Sequence, residues 1–307
     1  MLFRRLAIIS TLLLTAIAVP AAAFGAVRGG FQRTLKVTGP VDLQVLTHSG
    51  DVVVRTGPAG SVTINAKIHV TTGFFFGPRV SDEQVRQVEQ NPPIRQTGNL
   101  VKIDYPPVRN MAISYDITVP ADTRLRGTSG SGNQEVRGLR GDVDLRAGSG
   151  DMQLDDITGA VRVETGSGNI VGNRLGGALQ ARAGSGDIRA NLAGQGNVRV
   201  NTGSGNVEVR GINGSATVDT GSGDINADGQ LRGDWAIRAG SGNVRLTLPR
   251  GASFNVEVST GSGDINMNHP VNTAQGQAKR PRNISGKVGN GGPVLRVRTG
   301  SGDIDVY

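Results

Sequence analysis

The side chains in this sequence best placed to do chemistry are carboxylates and amides set beside glycines. A phrase of the form small-Gly-Ser-Gly-Asp/Asn-apolar recurs down the chain, and it brings Asn133, Asp151, Asn169, Asp187, Asn206, Asp224, Asn243 and Asp264 to the same place in each repeat. Glycine-rich turns carrying carboxylates can hold calcium between stacked turns. The spacing argues against that chemistry here. The calcium nonapeptide sets a residue between glycine and aspartate and recurs every nine residues, whereas here the Asp or Asn follows glycine directly, once per repeat. Half of the column is Asn, which halves the negative charge a hard cation requires. The sequence therefore predicts neither a metal nor any other cofactor.

Asp155-Asp156, after Leu154, resembles the carboxylate pairs of β-helical polysaccharide enzymes. Glycosidic cleavage needs two carboxyl groups held on opposite sides of one bond. Two adjacent residues at a turn fit a solvated corner instead, and no neighbouring repeat supplies further carboxylates and bases in the same columns. His48, His69 and His269 lie far apart, and no nucleophile elbow, phosphate loop or zinc motif is present. The triplets Arg140-Gly141-Asp142 and Arg232-Gly233-Asp234 sit at turns in a chain rich in both Arg and Gly, where such triplets arise easily. The expectation is a non-enzyme. A carbohydrate-active enzyme on a β-helix is the competing class, distinguished by carboxylates gathering on one lateral face.

The elements that position these residues follow from the repeat. Gly-Ser-Gly begins at Gly130, Gly148, Gly166, Gly184, Gly203, Gly221, Gly240, Gly261 and Gly300, a step of 18 or 19 residues until an insertion stretches the end. That is a solenoid period. Five and three residues before the first glycine stand apolar pairs such as Val143 and Leu145, Val161 and Val163, or Val198 and Val200; four and six residues after it stand Met152 and Leu154, Ile188 and Ala190, or Val207 and Val209. Period-two alternation on both sides of a glycine turn means strand, tight arch, strand. The arch residues are Gly148, Gly150 and Asp151, then Gly166, Gly168 and Asn169, Gly184, Gly186 and Asp187, and Gly221, Gly223 and Asp224. Glycine tolerates positive φ, and the Asx side chain can bond backbone groups the turn leaves unpaired. Alternating Asp with Asn along the stack avoids a like-charge contact costing about 0.2–1 kcal/mol per adjacent pair.

The chain has 307 residues with 47 glycines, 4% aromatics and no cysteine, which describes a thin repeated core without disulfides, thiolate metal sites or a lipidated cysteine. Residues 1–23 read as a secretory signal peptide: Arg4 and Arg5, an apolar run from Leu6 to Val19, then Ala21-Ala22-Ala23 as a cleavage site. No other long apolar segment follows, so the expected location is extracytoplasmic, with no transmembrane span after cleavage. Residues 31–307 form one predicted all-β solenoid domain. Its part 31–127 is irregular, with a degenerate arch at His48-Ser49-Gly50-Asp51 and a helix over 81–91 opened by a Ser81/Gln84 capping box and stopped by Pro92-Pro93. Its part 128–307 holds the regular repeats, with a loop insertion at 268–283.

Two stretches are candidate partner contacts: Phe74, Phe75 and Phe76 in a loop, and Lys279, Arg280 and Arg282 in the insertion. The net charge of +8 suggests an anionic partner. Outward positions nevertheless run Arg146, Glu164, Arg182, Asn201, Asp219, Arg238, with Asp144 facing Arg162 in the column four before the arch, so opposite charges neighbour one another, stabilise the sheet face and cancel its field. Nucleic-acid binding requires a one-sign stripe with interleaved aromatics, and the sequence predicts none.

Gly39-Pro40-Val41, the Ser81-Asp82-Glu83 helix running into Asn91-Pro92-Pro93-Ile94, Val119-Pro120-Ala121, the Thr-Gly-Ser-Gly-Asp arches and Ile284-Ser285-Gly286-Lys287 together resemble a bacterial β-strand-repeat family. That family is a domain of unknown function bearing an adhesin label, and the resemblance spans residues 31–307. It implies an exported β-solenoid and carries no catalytic residues across. The function expected is a non-catalytic, adhesin-like interaction or scaffold protein of the cell envelope, its partner an envelope or surface protein or polysaccharide.

Overall fold

The apolar columns stack on one another. In the computed structural model, which describes residues 27–70, 80–108, 110–272 and 282–307, Val143 is in parallel register with Val161, then Leu179, Val198, Ala216 and Trp235. Across the arch, Met152 continues through Ile170, Ile188, Val207, Ile225 and Val244. All of these side chains are buried. Each turn of the solenoid is thus a strand, the Gly-Ser-Gly arch, a second strand and a corner, with neighbouring rungs about 4.8 Å apart. The 25 strands among the described residues belong to one hydrogen-bonded sheet wound around this core. One rung alone cannot bury its apolar edge, and the stack buries it continuously.

A third inward column lies directly before the arch. Ser129, Thr165, Ala183, Thr202, Thr220, Ala239, Thr260 and Thr299 are buried there. Only a small side chain fits under the turn, and the hydroxyls satisfy arch carbonyls: Thr202 Oγ1 donates to Gly186 O at 3.1 Å, and Thr220 Oγ1 to Gly205 O at 3.1 Å.

The degenerate first arch joins the stack, because Asp42–Ser49 pairs parallel with Arg124–Ser131 and Val52–Thr56 with Gln134–Arg137. The chain between them covers this end. Antiparallel strands Val27–Lys36, Ser61–Val70 and Met111–Val119 close one edge. The helix Asp82–Gln90 forms as its capping box requires, with Ser81 Oγ accepting from Gln84 N and Gln84 Oε1 from Ser81 N. It buries Val85 and Val88, and Glu89 Oε1 accepts from Gly30 N at 2.8 Å, tying the helix to the first strand.

The far end departs from sequence order. The strand Val294–Ser301 lies between the rung of Trp235 and the strand Phe254–Ser262, so the Gly300 arch sits directly on the Gly240 arch and the Gly261 arch comes last. The reason is edge protection. Phe254–Ser262 pairs antiparallel with Asn283–Val288, which blunts the open parallel edge, and the slot left beside Trp235 is filled by the later strand. The insertion expected as a loop is partly strand, since Val271–Asn272 pairs antiparallel with the same segment. Phe74, Phe75, Phe76, Lys279 and Arg280, and the leader read over 1–23, lie outside the described residues. Arg282 is exposed, and its carbonyl accepts from Thr260 N at 3.0 Å.

Deleting Gly203–Thr220 removes one rung in register and joins Thr202 to Gly221. The shortened protein should melt cooperatively with native circular dichroism, whereas removing nine residues from the same place should unfold the region. Deleting Gly184–Thr220 removes two rungs and restores Asn169 beside Asp224. Per remaining rung it should be no less stable in denaturant titration, with a difference of about 0.2–1 kcal/mol in all from the one like-charge contact, because the one-rung deletion sets Asp187 against Asp224. Unfolding by the one-rung deletion would rule out a stack of interchangeable rungs.

Candidate functional site

The arch carboxylates and amides bond between rungs, not within their own turn. Asp51 Oδ1 accepts the backbone N–H of Asn133, Asn133 that of Asp151, and the pattern continues through Asn169, Asp187, Asn206, Asp224 and Asn243 to Asp303, at 2.8–3.0 Å. Asp303 then accepts from Asp264 N at 2.9 Å. In space the column alternates Asp with Asn from Asp51 to Asp303, and its one like-charge contact falls at the last arch. Each Oδ1 from Asp51 to Asp303 thus faces a hydrogen-bond donor, an arrangement opposed to a cation held between rungs.

The glycines permit this approach. At Gly186 φ is +132°, and a Cβ built there would lie 2.1 Å from the carbonyl oxygen of Gly168 in the neighbouring rung. The arch residues are therefore structural in what they touch, and Ser185 between them is exposed.

Asp155 and Asp156 are both committed to neighbours. Asp155 accepts from Asn173 Nδ2 at 2.8 Å and Gln153 Nε2 at 2.9 Å, with Arg137 Nε at 3.6 Å. Asp156 takes both its hydrogen bonds from Arg174, whose guanidinium holds the carboxyl below its ordinary range. Both Asp156 and Arg174 have positive φ, so successive rungs repeat the same corner. The Arg-Gly-Asp triplets are engaged as well: Arg140 grips Asp122, depressing its carboxyl, while Asp142 and Asp234 accept the corner N–H groups of Ala160 and Val294. The three histidines stay apart. His48 stacks on Tyr105 at 4.4 Å, His69 lies in the strand Ser61–Val70, and His269 packs edge-on against Phe254. Among the described residues no group of three or more His, Asp or Glu side chains is placed to hold a metal ion. The phenol of Tyr115 is buried without a partner, and burial pushes its pKa up.

What the structure adds is a groove of about 620 Å³ along the corner opposite the arches, crossing six rungs. Its rim is the outward column Arg126, Asp144, Arg162, Gln180, Arg199 and Thr217, in parallel register. The expected facing of Asp144 and Arg162 holds in register, although the ion pair of Asp144 is with Arg146, at 3.6 Å. Charge alternation also fails at one step, because the displaced strand sets Arg298 beside Arg238. The groove was hidden in the sequence because its signal lies in residues a full repeat apart, in a column four positions before the arch.

Residues 32–307 match the Toastrack DUF4097 family. The chain belongs to that family. No curated protein matches it. Among solved structures, the Toastrack chain is similar to a putative adhesin from Parabacteroides distasonis, at 10% identity and a TM-score of 0.46, covering 91% of this chain and 97% of that one. A putative adhesin from Bacteroides fragilis aligns at 11% identity and a TM-score of 0.35, with 91% and 97% covered. A putative cell adhesion protein from Clostridium sporogenes aligns at 13% identity and a TM-score of 0.28, with 91% and 99% covered.

Two outcomes test the arch. Gly186→Ala should destabilise by about 1–3 kcal/mol from backbone strain alone, with more from the clash, while Ser185→Ala stays within about 0.5 kcal/mol of wild type in chemical denaturation. Melting curves in calcium and in chelator should superimpose. A rise of about 10 °C with calcium would reveal a site on the folded state.

Proposed function

We propose that this protein is an exported, non-catalytic β-solenoid of the bacterial envelope that works as an adhesin-like interaction or scaffold protein. The observation that carries the reading is the division of labour in the side chains. The acidic groups that could do chemistry, Asp155, Asp156 and the arch column, are spent on bonds between rungs, while a continuous lateral groove across six rungs offers a surface for a long partner. Export is supported by the signal-peptide pattern of residues 1–23. Among the described residues no helix is long and apolar enough to cross a membrane.

The full-length chain expressed in a Gram-negative host should appear in the periplasmic or surface fraction with its N-terminus beginning after Ala23. Retention in the cytoplasm with residues 1–23 attached would overturn the export reading. Neither wild type nor Asp155→Asn/Asp156→Asn should depolymerise polysaccharide. Cleavage by wild type that disappears in the double variant at unchanged melting temperature would move the protein to the carbohydrate-active class.

A further inference from the structure

We propose that the lateral groove binds an extended acidic polysaccharide bearing one carboxylate on every second sugar. The inference rests on the reading of the protein as a non-catalytic interaction module and names the ligand of that surface. Arginine occupies every second rung of the rim, at Arg126, Arg162 and Arg199, while Asp144, Gln180 and Thr217 occupy the rungs between. Two rungs span about 9.6 Å, from a rung spacing of about 4.8 Å. That is close to the length of one disaccharide in an extended β-linked glycan. Cations then meet successive carboxylates, and the intervening acceptor side chains meet the hydroxyls of the uncharged sugars.

The basic groups are not cancelled locally. Among the described residues Arg124 and Arg199 have no ion pair, Arg162 donates to the neutral Gln180 at 3.0 Å, and Arg126 has only Asp42 at 3.5 Å. The two acids of the groove are already engaged, Asp142 by the N–H of Ala160 and Asp144 by Arg146.

The floor fits a sugar as well. At the corner, Asp142, Asn197 and Asp234 each lend an oxygen to the N–H of the next rung, to Ala160, Ser215 and Val294. Ala160 and Ala178 occupy the same corner position with a methyl group, which cannot accept. The N–H groups of Ala178 and Asn197 therefore receive no such side-chain oxygen, and the missing side chains open the cleft in the middle of the groove. The methyl groups there suit the apolar face of a pyranose ring. A polymer with a charge on every unit would instead set an anion against Asp144, and no aromatic side chain lines the groove for nucleobase stacking.

The test is calorimetric titration of the full chain with hyaluronan oligosaccharides, whose uronate alternates with a neutral amino sugar. Polygalacturonate, inorganic polyphosphate and neutral chito-oligosaccharides are the comparisons. Hyaluronan should bind most tightly, and Arg162→Gln/Arg199→Gln should weaken it at least about tenfold, as expected when charged hydrogen bonds are lost. Ala178→Asp, which puts a carboxylate back at the corner, should also weaken it. Arg298→Gln, outside the groove, should not, and all three variants should melt like wild type. No binding of hyaluronan, or equal binding by the Arg162/Arg199 variant, would overturn the groove as the site. Equal or tighter binding of polyphosphate would overturn the carboxylate spacing. None of these results depends on where the protein resides or whether it cleaves a glycan, so the groove and the proposed function fail separately.

Discussion

The hydrogen bond from each arch Asx to the main chain of the next rung sets the geometry that the remaining structure obeys. Asn169 Oδ1 can reach Asp187 N, and Asp187 Oδ1 can reach Asn206 N, only if successive arches superimpose by pure translation. Translation by one rung brings backbone against backbone at the turn. A Cβ on Gly186 would meet Gly168 O, and one on Gly205 would meet Gly186 O at 2.2 Å. The glycines, the Asx and the small buried residue before them thus answer a single constraint, which is that a tight turn must repeat at the spacing of a β-sheet. Alternation of Asp with Asn supplies acceptors at every step while separating the charges.

Such a stack has a thin core and two open ends. Valine, isoleucine and leucine fill the interior column by column, with Trp235 as its largest fully buried side chain, its indole N–H donating to Gly214 O at 3.0 Å. At the ends the parallel ladder would expose unpaired strand edges, and both ends switch to antiparallel pairing, one with a helix laid over it. The lateral faces can change residue by residue without disturbing the arches. The arginine spacing of the groove uses this freedom.

The regular repeats were legible in the sequence because each column carries its own chemical requirement. Val143, Met152 and Gly148 could be placed from period and type alone, and so could the capped helix at Ser81. Rung order at the far end was not legible, because the Gly261 and Gly300 arches carry the same motif and stack equally well on either neighbour. What separates them is the antiparallel segment Asn283–Val288, whose pairing depends on an edge and not on a pattern. The partners of Asp155 and Asp156 were hidden for a related reason: Asn173 and Arg174 stand one full rung away, and only the register identifies them. The groove is hidden because its outward positions read as balanced charge, and the two alanines among its lining residues stand out only when the corners are compared.

The displaced strand also sets a timetable. Residues 254–288 are synthesised before 294–306, so the hairpin of Phe254–Ser262 with Asn283–Val288 exists in the chain while the strand that must separate it from Trp235 has not yet arrived. Direct docking of Phe254–Ser262 on the Trp235 rung is a competing register, favoured by the same columns that make the repeats interchangeable. Winding from the rung of Arg124–Ser131 onward can proceed step by step as the chain appears, each new rung adding to a finished edge. The final turns instead require a slot to be kept open, or reopened, for a strand from farther along the chain. Assembly is therefore progressive over the regular rungs and all-or-none at the far end, where a long loop must close before any of its contacts form.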